Sequence, residues 1–161
     1  MTLSLKNSTT KDLGFVMSLA LNGARHGHFD PRVSTEKEAY RAYLNSAITY
    51  QTDLSGYSTH VMVAYDNASR IGATVVTKAV GTPDAGVEIA LIALKNEHRG
   101  KGYGADMLDV LMNHYLPTMS VYARCFPASE KFHQMLLRRG FSEVGQSGKS
   151  VILRHGAIGP V

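Results

Sequence analysis

Residues 87–108, VEIALIALKNEHRGKGYGADML, decide how the rest of the chain is read. The first eight form an apolar run broken only by Glu88, the pattern of a strand buried on both faces. From Met107 onward apolar residues recur at helical spacing. Between strand and helix lie Arg99, Gly100, Lys101, Gly102, Tyr103 and Gly104. Glycine at alternate positions costs backbone entropy, so an ordinary surface connection would not favour it. Such a loop suits close approach of a ligand to the main chain, and Arg99 and Lys101 point to an anionic one.

The flanking sequence supplies the other elements. Downstream, Met107, Leu108, Leu111 and Tyr115 share a helix face that stops at Pro117, and MSVYARCF (119–126) reads as a strand. PASEKFHQMLLRRGF (127–141) is a helix with Phe132, Met135, Leu136 and Arg139 along one side, closed by Gly140. Short strands follow around 141–144 and 151–154. Upstream, HVMVAY (60–65) and RIGATVVTK (70–78) are β-branched strands joined by the turn Asp66–Ser69. Residues 3–8 form a first strand, and Thr9 or Thr10 caps a helix carrying Phe15, Val16, Leu19 and Ala20. A glycine- and proline-broken stretch, NGARHGHFDPRVS, separates it from a second helix. There Thr35-Glu36-Lys37-Glu38 reads as a capping box, with Tyr40, Tyr43, Leu44, Ala47 and Ile48 on one face. The predicted order is β-α-α-β-β-β-α-β-α-β-β, an α/β sandwich with a mostly antiparallel sheet, in one domain spanning 1–161.

Composition narrows the class. The chain has 161 residues, 44% of them apolar and 19% charged, as in ordinary globular proteins. Its 17 basic and 13 acidic residues give +4, which suits an anionic ligand without the basic stripe of a dedicated nucleic-acid binder. The single cysteine, Cys125, excludes an intramolecular disulfide and a multi-cysteine zinc site. No apolar run approaches membrane-spanning or signal-peptide length, so the expected location is cytoplasmic and no membrane partner is expected.

Three anion-binding designs compete for the loop. A Walker loop requires a glycine five positions ahead of Gly-Lys-Ser/Thr, and Lys95 and Gly102 break that pattern here. SGKS (147–150) fails too, with Glu143 at the first glycine position. Gly100-x-Gly102-x-x-Ala105 approaches a dinucleotide fingerprint, but the next strand ends in Cys125-Phe126-Pro127 where an acidic residue is required. The third design fits. Arg99-x-x-Gly102-x-Gly104 at a strand-to-helix turn, the closing Gly140-Phe141 and the element order together resemble the GCN5-related N-acetyltransferase (GNAT) family.

That resemblance implies a sheet of about six or seven strands flanked by about four helices. It implies acetyl-CoA as acyl donor, without a metal, and direct transfer in a ternary complex to an amine on a small molecule, peptide or protein. Nucleic acid is not expected as a partner apart from aminoacyl-tRNA, and association as a homodimer stays open. The implied cofactor residues are Ile92, Leu94, Arg99, Gly100, Lys101, Gly102, Tyr103, Gly104 and Ser129. The loop amides would hold the pyrophosphate. The splayed strand end at Ile92–Leu94 would pair with pantetheine as an added strand does.

The chemistry needs a base for the amine's proton. Glu88 takes that role by resemblance, with an exposed or ion-paired strand carboxylate as the other reading. The family's acid tyrosine falls at Leu136 and a common helix asparagine at Ser129. His133, one turn before Leu136, is a candidate substitute acid, or a packed histidine without a role. His26-x-His28-x-Asp30 has the look of a metal motif without its scaffold, and a substrate-contacting loop competes with that reading. The alternative to an enzyme is an acyl-CoA-binding module without turnover, motivated by the missing tyrosine.

Overall fold

The computed structural model describes residues 3–82 and 84–159. Seven strands form one sheet among these residues: β1 (Leu3–Asn7), β2 (Thr59–Asp66), β3 (Ser69–Lys78), β4 (Gly86–Leu94), β5 (Ser120–Cys125), β6 (Ser142–Ser147) and β7 (Ser150–His155). Their spatial order is β1-β2-β3-β4-β5-β7-β6. Every pairing is antiparallel except β4 with β5. The helices are α1 (Leu13–Arg25), α2 (Arg32–Thr35), α3 (Lys37–Tyr50), α4 (Tyr103–Tyr115) and α5 (Glu130–Arg138).

The expected element order is observed, with one addition and several shifted ends. The addition is α2, a single turn folded from the end of the glycine-broken stretch. It displaces the expected capping box: Thr35 ends α2 and bonds back to the Pro31 carbonyl, while Glu36 precedes α3 without a side-chain cap. The Thr9 site instead carries a box, in which the Thr9 amide donates to Asp12 Oδ2 at 2.9 Å. The last helix begins at Glu130, because Pro127–Ser129 form a 3-10 turn. The terminal strands run longer than expected, since β6 and β7 close on each other as an antiparallel hairpin.

Two buried groups of side chains hold the layers together. On one side Val16, Leu19 and Ala20 of α1 and Leu44 and Ala47 of α3 meet Val61, Val63, Val75 and Leu91 of the sheet. On the other, Leu108 and Leu111 of α4 pack with Ile89, Val121, Leu136 and Leu153. Leu44 and Leu108 are fully buried, each contributing roughly 1.5–3 kcal/mol over exposure. The helices therefore clamp β4 between them.

Candidate active site

The cleft begins where β4 loses a neighbour. β4 pairs with β3 from Val87, opposite Lys78, to Leu94, opposite Gly72. Its parallel pairing with β5 runs only from Gly86, opposite Ser120, to Ile89, opposite Ala123. At this point Ala90 is an extra residue against β3, since Ile89 faces Val76 and Leu91 faces Val75. A bulge bends its strand and increases the local twist, which turns β4 away from β5. The Leu91 carbonyl accepts from the Thr74 hydroxyl at 2.7 Å, and the Lys95 amide donates to the Ile71 carbonyl at 2.9 Å. Main-chain groups alternate sides along a strand, so those of Ile92 and Leu94 face the gap. The gap opens into a cleft of about 1350 Å³. Pockets for one drug-sized ligand occupy ~300–1,000 Å³, so the cleft has room for two ligands.

One end of the cleft has the features that suit an anion. Gly100 and Gly102 have φ of 73° and 87°, in the left-handed region, and a Cβ at either would meet nothing within 4 Å. Gly102 is the N-cap of α4, whose first-turn amides lack helix partners and carry the positive end of the dipole. Arg99 lines the cleft beside them. An elongated anionic ligand such as the expected CoA pyrophosphate fits this open, backbone-lined cradle. Tyr103 also borders the cleft, but its hydroxyl donates to Asp66 at 2.6 Å and ties α4 to the end of β2. Gly104 lies inside the helix with an ordinary φ. Lys101 is exposed and outside the lining.

Ser129 lines the same cleft and is 9% exposed. Its hydroxyl lies 2.8 Å from His28 Nδ1, which joins the loop after α1 to the turn before α5. Burial, then the charge of Arg99, then His26 lower the His28 pKa and favour the neutral ring.

The other end holds the titratable chemistry. Glu88 lines the cleft, and its Oε1 accepts from Arg124 Nε at 3.0 Å. Opposite Glu88 stands Tyr122, and Arg124 follows two residues later on the same face of β5. The Glu88 side chain is 20% exposed and that of Arg124 41%. Asp30 and Arg32 form a second pair at 2.7 Å on the rim. Tyr40 and Tyr43 stack with centroids 5.6 Å apart, and burial raises both phenol pKa values.

A search of protein-family models and one of curated proteins find no match to this chain. Solved structures do match. The PaiA N-acetyltransferase of Thermoplasma acidophilum, in complex with coenzyme A, superposes with a TM-score of 0.70 at 14% identity, covering 97% of this chain and 99% of that one. The spermidine N-acetyltransferase of Vibrio cholerae, in complex with CoA and spermine, gives 0.70 at 17% identity, with 96% and 95% covered. A GNAT-family acetyltransferase of Bacillus cereus gives 0.64 at 14% identity, with 98% and 99% covered. The fold is that of the GCN5-related N-acetyltransferases.

Within this GNAT fold, α5 turns Phe132 and Met135 toward the cleft rather than His133 and Leu136. Leu136 is fully buried in the core. His133 Nε2 lies 2.7 Å from Glu143 Oε1 on β6, away from the cleft lining. The HGHFD side chains also diverge. His26 Nδ1 meets the Asn22 carbonyl, His28 meets Ser129, and Asp30 holds Arg32. No group of three or more histidine, cysteine or acidic side chains is placed to hold a metal among the described residues. Cys125 is 2% exposed, and burial, reinforced by Glu130, pushes its thiol pKa up to about 12. No helix among the described residues is long and apolar enough to cross a membrane.

The site residues that sequence reading missed are Arg124 and the aromatic wall. Arg124 is the one charge in the strand VYARC, a signal that gains meaning only when β5 is placed beside Glu88. Tyr40 and Tyr43 read as core because they recur at helical spacing. Both border the cleft.

Proposed function

We propose that the protein is an N-acyltransferase that takes an acetyl group from acetyl-CoA and passes it directly to an amine, both substrates being bound together. The observation that carries this reading is the parting of β4 from β5 directly before a left-handed glycine turn and a helix N-terminus. One feature offers extended main-chain partners and the other offers amide donors for phosphate, which together match a long pantetheine phosphate ligand. Two proteins of similar fold have been solved in complex with CoA, which supports the reading.

The donor supplies a thioester carbon open to attack. Transfer forms the N–C bond and breaks the C–S bond, with the electron pair leaving on sulfur. The main-chain N–H groups of Ile92 and Leu94 face the gap, where one can donate to the thioester oxygen as negative charge grows on it. Glu88 accepts the ammonium proton, directly or through one water. Arg124 holds Glu88 Oε1, leaving Oε2 for that proton. No tyrosine of α5 lines the cleft, and none is required. A free thiol has a pKa of ~8.5, so the departing thiolate is stable enough to take its proton from solvent.

Calorimetric titration with acetyl-CoA, beside thiol release and product mass over an amine panel, tests the reading. Binding with turnover is expected, and Glu88→Gln should lower kcat about 10²–10⁴-fold while acetyl-CoA affinity holds. Binding without turnover of any amine would favour the binding module, which the absence of an α5 tyrosine from the cleft also suits.

A further inference from the structure

From the charges at the acceptor end we infer that the amine substrate is a free α-amino acid, and that Arg124 binds its carboxylate. The inference rests on the acyltransferase reading and names the substrate class of that site.

Arg124 and Glu88 meet through a single hydrogen bond, Nε to Oε1 at 3.0 Å. Guanidinium carries five donors in a rigid fork, and this contact uses one of them. Among the described residues no other acceptor is bonded to Arg124, and the side chain is 41% exposed at the cleft. Its two terminal nitrogens thus present the bidentate face that suits a carboxylate. Glu88 keeps Oε2 for a cation. The cleft floor therefore shows an anion site and a cation site side by side, one ion pair apart. An α-amino acid carries its ammonium and carboxylate on one carbon, at the same short spacing and with the opposite signs.

Competing acceptors fit less well. A polyamine carries several cationic nitrogens, yet the cleft lining holds five arginines and lysines against three carboxylates. Among these, Arg32, Arg124 and Lys149 would repel it. A peptide N-terminus has the amine but no carboxylate beside it, leaving the Arg124 fork unmatched. Phe29, Val33, Tyr40 and Tyr43 also line the cleft and offer an apolar wall for a side chain. That wall selects leucine- or phenylalanine-like acceptors over charged ones.

Matched acceptors test the inference on the unmodified protein. Each series is a free amino acid, its amide and its decarboxylated amine: L-phenylalanine, L-phenylalaninamide and phenethylamine, with the corresponding leucine set. With acetyl-CoA as donor, kcat/KM for the free acid should exceed that for amide and amine by about 10–100-fold, the usual worth of a charge-assisted contact. The amide's ammonium loses its proton more easily, so nucleophile supply alone would give the opposite order. Calorimetry with coenzyme A present should show the same preference in binding. In Arg124→Gln the acid-to-amide ratio should fall to one or below, and Arg124→Lys should keep part of the preference. Loss of activity on all acceptors at an unchanged ratio would assign Arg124 to holding Glu88 and overturn the inference. So would equal or better turnover of amides, amines or polyamines in the unmodified protein, which leaves the acyltransferase reading intact. Absence of acetyl-CoA binding would remove both.

Discussion

Gly102 and Gly104 look interchangeable in the sequence and should behave oppositely when replaced. Gly102 has φ of 87° and its added Cβ would stand in open space, so the cost of alanine is backbone strain alone. An L side chain in the left-handed region costs about 1–2 kcal/mol. For a domain of this size each kcal/mol moves Tm by about 2–4 °C, so Gly102→Ala should lower Tm by roughly 2–8 °C. Gly104 is helical, and its added Cβ would rest 3.8 Å from Leu94 Cδ1, an ordinary contact. Glycine in a helix gives up about 0.5–1 kcal/mol against alanine, so Gly104→Ala should raise Tm by a few degrees. Gly102→Glu adds to the strain a carboxylate in the anion cradle. Bringing like charges together costs several kcal/mol, so acetyl-CoA affinity should fall about 100-fold or more. Thermal unfolding by circular dichroism reads the first two effects, and calorimetric titration reads the third. Tm shifts of the same sign for the two alanine variants would refute the assignment of the left-handed turn. Undiminished acetyl-CoA affinity in Gly102→Glu would refute the cofactor site.

Other perturbations follow from the same geometry. Asp84 is held by Arg154, Ser120 and Tyr122, with Arg154 first among the causes that place its pKa well below the usual 3.8. A carboxyl depressed on folding stabilises above its unfolded pKa and loses that contribution as pH falls through its folded one. Tm should therefore drop as pH is lowered below about 3.8, and Asp84→Asn should flatten that part of the profile. The Cys125 thiol, buried and with its pKa raised to about 12, should resist a thiol-reactive dye at pH 8 until denaturant is added. Fast labelling of the native protein would contradict its burial. Leu136→Tyr should destabilise by about 1–3 kcal/mol through overpacking, because the site is fully buried, and should leave turnover of folded protein unimproved. A rise in kcat would show that the phenol reaches the cleft.

The frame was legible because it rests on periodicity. The β4 run, the glycine loop and the α4 stripe each announce their state within a few residues, and Arg99, Gly100 and Gly102 line the cleft in the structure. What stayed hidden depends on pairing between distant segments. His133 and Leu136 lie three apart, and a shared helix face is a sound local inference. Which face meets the cleft is set by how α5 leans on β5, and that turns Phe132 and Met135 inward instead. Thr35 has the right neighbours for a capping box, but the chain adds the α2 turn ahead of it. Arg124 acquires its partner only because β5 runs parallel to β4 in a register that sets Tyr122 opposite Glu88.

The short β4–β5 ladder has a further consequence for hydrogen exchange. Among the described residues, four residue pairs join the β1–β4 block to the β5–β7 block in the β4–β5 ladder, with the Asp84–Arg154 bridge close by. Sub-global opening tends to follow such weak seams, so the two blocks should exchange their amides as separate cooperative units. Within β4 the gradient should be sharp. Leu91 and Ala93 face β3 and should be slow to exchange, whereas Ile92 and Leu94, within β4 yet unpaired on the open side, should exchange like a sheet edge. A ligand laid along that edge would slow these two amides first, giving each a residue-resolved signal of occupancy before any chemistry begins.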